Sequence, residues 1–106
     1  MSTYLFTGSF TVDGAKGILA EGGSKRRDAV EKLFASLGGT LESYHFGFGS
    51  DDFYIIGELR GNTEAASLAL TTSASGAVHV RTVVLLTPEE VDAVSKLSPT
   101  YRAPGR

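Results

Sequence analysis

Two aspartates stand side by side in GSDDFYIIGEL, at Asp51 and Asp52, and His45 lies six residues upstream. Paired carboxylates serve as general acid and base or as a metal corner, and an imidazole titrates near neutral pH, where it moves protons. Farther on, His79 and Arg81 are two apart in VHVRT, an arrangement that suits an anion. Lys25-Arg26-Arg27 opens a helical stretch, where first-turn amides and cations together can hold a phosphate. Each of these has a plainer counterpart. Adjacent strand residues point to opposite faces, so Asp51 and Asp52 cannot share a site within one strand. Aspartate also favours turns by bonding nearby backbone amides. Asp52, which begins the strand, is the better candidate for chemistry, and with His45 it forms the candidate catalytic set. A three-residue basic run is usually solvated, and the glycines of GAKGILAEGGSK do not match a phosphate-loop spacing. No HExxH or His-x-His element is present, so neither a metal nor a cofactor is expected.

The elements that would position these residues follow from periodicity. Thr3 to Phe10 alternates, with Tyr4, Phe6 and Phe10 on one face, and reads as a strand. Thr11 to Gly23 holds four glycines and reads as a loop with one helical turn near Ala15 to Ala20. Val30, Leu33, Phe34 and Leu37 mark a helix from Ser24 to Leu37, with Ser24 as its cap and Gly38-Gly39 as its stop. Thr40 to Phe48 alternates again; Tyr44, Phe46 and Phe48 share one face, and Leu41, Ser43 and His45 the other. Asp52 to Leu59 is apolar on both faces, which predicts a strand covered on both sides. Gly49 to Asp51 makes the short link of an antiparallel hairpin. Arg60 to Ser75 predicts a helix with an alanine-rich stripe, capped by Asn62 or Thr63, and Val78 to Leu86 a fourth strand. Thr87-Pro88-Glu89-Glu90 has the form of a capping box, ahead of an amphipathic turn carrying Val91, Val94 and Leu97. The order β-α-β-β-α-β-α predicts an α+β ferredoxin-like sandwich with an extra C-terminal helix. Residues 1–97 form the single domain and 98–106 a loose or partner-docked tail.

Composition sets the outer bounds. The chain has 106 residues, no cysteine, and ten basic against 12 acidic residues. Thiol nucleophiles and disulfides are excluded, and nothing in the charge balance asks for nucleic acid. No secretory signal or membrane-length apolar run is visible, so a cytoplasmic protein with no membrane partner is expected. All four strands carry more apolar residues than one core face needs. An uncovered face of that kind exceeds what monomers usually leave exposed. Sheet-to-sheet pairing of two copies would cover it, with the C-terminal helix covering part, and would enclose a cavity. Tyr4, Phe6, Tyr44 and Tyr54, with His79 and Arg81, are the candidate ligand-binding residues.

Several stretches together resemble the GYD-domain proteins, small bacterial domains of the dimeric α+β barrel type. These are TYLFTGSFT, RRDAVEKLFASLGGTLESYHFGFG, DFYIIGEL and GAVHVRTVVLLTPEEV, spanning about Thr3 to Leu97. The resemblance places Gly49 at the signature glycine and Asp52 at the signature aspartate, with Asp51 where the signature tyrosine would stand. It implies a ferredoxin-like fold and a homodimer or higher oligomer, and no particular reaction. Two functions follow as expectations. The first is a homo-oligomeric module that holds a small apolar or aromatic ligand or serves assembly. The second is a cofactor-independent oxygenase, isomerase or cyclase-like enzyme using His45 for proton transfer. A module docking on another protein through SPTYRAPGR is a third.

Overall fold

The computed structural model describes residues 1–106 as four strands and four helices. They run β1 (Ser2–Phe10), α1 (Val12–Glu21), α2 (Gly23–Ser36), β2 (Thr40–Phe46), β3 (Phe53–Leu59), α3 (Asn62–Ala74), β4 (Val78–Leu85) and α4 (Pro88–Ser95). The sheet order is β2-β3-β1-β4, antiparallel throughout. This is the ferredoxin-like order, with β2 and β4 at opposite edges.

One face of the sheet carries the core. Tyr4 and Phe6 of β1, Phe53, Ile55 and Leu59 of β3 and Val78 of β4 meet Val30 and Phe34 of α2 and Ala65 and Leu68 of α3. Phe6 and Phe34 meet edge to face, with centroids 5.9 Å apart at 79°, a favoured aromatic geometry. Gly57 lets α2 approach: a Cβ there would lie 2.4 Å from the Phe34 ring. Buried Tyr4 donates its hydroxyl proton to Asn62 Oδ1 at 2.8 Å, tying β1 to the start of α3.

Local details depart from the sequence expectations. The glycine-rich segment after β1 is a full helix, α1, not a loop with one turn. Thr11 caps it by accepting from Gly14 N–H at 3.2 Å. Gly14 sits where a Cβ would come within 2.0 Å of the Ala77 carbonyl oxygen, so the glycine permits the helix to pack. Ser24 does not cap α2; the helix starts one residue earlier, after Gly22 at φ 83°. Gly38, at φ 76°, provides the expected left-handed stop. Neither Asn62 nor Thr63 caps α3, whose N-cap is Gly61.

A bulge between Leu41 and Ser43 breaks the simple alternation of β2. It turns Leu41 toward the core while Ser43 and His45 stay on the other face, an effect of the one extra residue. The β2–β3 connection spans residues 47–52, longer than the three residues expected. Within this chain β3 is covered on one side only: Phe53, Ile55, Gly57 and Leu59 are buried, and Tyr54, Ile56 and Glu58 are not. Helix α4 covers none of the sheet, and every residue from Leu86 to Arg102 is exposed. Its capping box has formed, with Thr87 N–H to Glu90 Oε1 and Glu90 N–H to Thr87 Oγ1 both at 3.0 Å.

Candidate functional site

The face opposite α2 and α3 is uncovered, and strand register arranges its side chains in transverse rows. His45 pairs with Tyr54, Tyr54 with Thr7, and Thr7 with Arg81, so one polar row crosses all four strands. Next to it runs a second row, Ser43, Ile56, Leu5 and Val83, apolar at its centre. With strands about 4.8 Å apart, the polar row spans roughly 14 Å from His45 to Arg81. On the other side of that row, Ser9 faces His79.

Asp51 closes the Arg81 end. Its Oδ2 accepts from the Thr7 hydroxyl at 2.9 Å and from Arg81 Nη2. The Thr7 hydroxyl also lies 2.8 Å from the Phe53 carbonyl oxygen. The Thr7 hydrogen bond, then the Arg81 guanidinium, holds the Asp51 carboxyl below the usual carboxylate range, against an opposing push from desolvation. Asp51 is thus a fixed anion that orients Arg81, whose side chain remains 66% exposed.

Asp52 has a different task. Its carboxylate accepts from Phe10 N–H at 2.9 Å, and its own N–H donates to the Gly8 carbonyl at 2.7 Å. It therefore secures the end of β1 against the start of β3. The two aspartates do not share a partner, as strand geometry requires.

Of the residues singled out by sequence, His45, Tyr54, His79 and Arg81 lie on the open face. Tyr4 and Phe6, each 1% exposed, and half-buried Tyr44 lie on the helix side of the same sheet. The sheet separates the two sets, so they cannot line one cavity in this chain. The helix-side hollow between Phe6, Tyr44, Arg26 and Val30 encloses only about 20 Å³, roughly one water. Burial there pushes the Tyr44 phenol above its ordinary value, partly offset by the Arg26 guanidinium. Arg27 pairs with Asp28 at 3.3 Å on the surface. No group of three metal-ligating side chains exists, and no helix is long and apolar enough to cross a membrane.

Sequence reasoning passed over Thr7 and assigned Asp51 to a turn. A signal was present: Thr7 is the one β-branched hydroxyl in the middle of β1, on the opposite parity from Tyr4 and Phe6. What was missing was the register that sets Thr7 against Arg81.

A four-stranded antiparallel sheet in this order, with helices on one face and a polar row on the other, defines an α+β domain of ferredoxin-like type. The chain belongs to the GYD domain family, whose model matches residues 4–94. No curated protein and no solved structure in the comparisons matches it.

Proposed function

We propose that the chain works as a homo-oligomer whose open sheet faces meet and hold a small apolar or aromatic ligand between them. The observation that carries this reading is the pair of adjoining rows. Leu5, Ile56 and Val83 offer a flat apolar bed, and His45, Tyr54 and Arg81 offer polar groups along one side of it. A ligand with an aromatic body and one polar end fits that division, since such sites combine an apolar lining with few placed polar groups. A patch of this kind is also what a second copy would cover. Native mass spectrometry tests both halves: we expect a mass of at least two chains with a retained small molecule. Val83→Asp, which puts a charge at the β4 end of the apolar row, should return the protein to monomer. A wild-type monomer at every concentration refutes the pairing.

The second reading, an enzyme, is favoured by one observation: His45 stands directly opposite Tyr54 on the open face. An imidazole and a phenol on neighbouring strands can pass a proton to and from a substrate lying on the apolar row. In that case His45→Gln should keep the oligomer and the retained molecule while abolishing its turnover. If the retained molecule is unchanged by the wild type, the enzyme reading falls.

A further inference from the structure

The C-terminal arm and a groove on the helix side of the sheet are both apolar and both uncovered. On the arm, Val91, Val94 and Leu97 are 49, 54 and 72% exposed. The groove runs between α3 and the edge strand β4. It is floored by Ala65, Ala66 and Ala69, walled by Leu70 and Val84, and has a volume of about 510 Å³. Alanine floors allow a helix to approach closely, and an eight-residue helix is about 12 Å long. We propose that α4 of one copy docks in this groove of a second copy, so that the two chains exchange arms.

Three observations select a second copy as the occupant. First, α4 does not lie in its own groove, which none of its residues lines. Pro88 confines Thr87 to extended backbone, Thr87 sits at φ −74°, ψ 160°, and the capping box holds it there. Only Leu86 and Thr87 separate β4 from α4, and β4 itself forms one wall. Second, the exposed area is more than a stable interface needs. The accessible surface is 7242 Å², against roughly 5,700 Å² for a compact monomer of this mass. The radius of gyration is 16.8 Å, against about 13 Å for a compact domain. Two chains that each hide the excess of about 1,500 Å² would exceed the 1,200–2,000 Å² of a standard stable interface. Third, the arm has no basic excess to draw it to an anionic membrane surface: Glu89, Glu90 and Asp92 are matched in number by Lys96, Arg102 and Arg106, and within α4 itself the acidic residues have no basic partner. Exchange satisfies both uncovered features twice by one twofold operation.

The chain has no cysteine, so introduced thiols report unambiguously. Two differently tagged chains, one with Val94→Cys and one with Ala66→Cys, are coexpressed and treated with a short bismaleimide. We expect at least tenfold more covalent heterodimer than with Lys25→Cys, an exposed position on α2, in place of Ala66→Cys. Adding Leu70→Asp to the Ala66→Cys chain should remove the link, with circular dichroism confirming the fold. A third chain that carries both cysteines reads the alternative: a link formed there only within the chain overturns the proposal, as does a heterodimer yield no higher than the control. A link that survives Leu70→Asp overturns the groove as the seat. This cross-link reads the arm's position, whereas the mass of Val83→Asp reads pairing of the open faces, so the two ideas fail separately.

Discussion

On the helix-covered face of the sheet, Tyr4, Phe6, Phe53 and Leu59 are at most 2% exposed, whereas Tyr54 and Val83, on the opposite face of the same sheet, are 38 and 43% exposed. The backbone is shared, and only residue parity separates the two sides. One side is sealed by Phe34 and Leu68 from α2 and α3; the other carries a row of polar groups beside a row of apolar ones. The contrast teaches that the fold is built on one face, which leaves the other free to be specified by function. Substitutions on the two faces should therefore report different things: the chain's own stability on one and, under the proposed pairing, association on the other.

The largest expected difference tests that division directly. Phe34 is fully buried and meets Phe6 edge to face. Phe34→Ala should cost about 4 kcal/mol, the sum of lost transfer energy and a cavity between helix and sheet, measured by urea unfolding. Tyr54→Ala should cost the separated chain, at concentrations below association, less than about 1 kcal/mol. A comparable loss at the two positions in the separated chain would break the comparison, because Tyr54 would then carry as much of the chain's own stability as Phe34.

That division was only half legible in the sequence. Alternation in TYLFTGSF and DFYIIGEL, the stripe Val30, Leu33, Phe34 and Leu37, and the capping box at Thr87 identified strands and helices from local geometry alone. Helix α1 was not legible, because its glycines lower helix propensity and their reason is long-range: Gly14 passes against the Ala77 carbonyl. Its local signal was the Thr11 cap. The side of the sheet that the helices take is also a long-range choice. For that reason Tyr4 and Phe6 were grouped with Tyr54 and Arg81, although they face opposite ways. The β2 bulge misassigned Leu41 for a related reason, since one extra residue resets parity without a marked change in composition. His45, Tyr54 and Arg81 could be named, but their row with Thr7 depends on pairings among four strands.

A smaller effect sharpens the helix side. The Tyr4 hydroxyl is the polar end of a buried ring, and its partner Asn62 is exposed. Tyr4→Phe keeps the packing and removes one hydrogen bond, so it should cost about 1 kcal/mol, with the freed Asn62 amide turning to water. A loss near that of Phe34→Ala in the same urea assay would show that the bond organises the start of α3 as well as satisfying one hydroxyl.

The smallest effect belongs to the open face and is visible only in acid. The Asp51 carboxyl is held below its ordinary value by Thr7 first and Arg81 second. In the folded chain it therefore binds its proton less readily than in the unfolded chain. Its contribution to stability is complete above the unfolded carboxylate pKa of about 4 and is lost as pH falls through the lower folded value. Asp51→Asn should flatten that part of the stability profile in urea titrations below about pH 4, with little change in shape at neutral pH. Thr7→Val and Arg81→Met should each remove part of the acid slope, because the Thr7 hydrogen bond is the largest single cause and Arg81 adds both a hydrogen bond and its charge. High salt should weaken the Arg81 part, which is exposed and screened, and spare the Thr7 part. An acid slope left intact by Thr7→Val would make Asp51 principally an ion-pair partner of Arg81, and the polar row would then end in a simple salt bridge instead of an anchored, oriented cation.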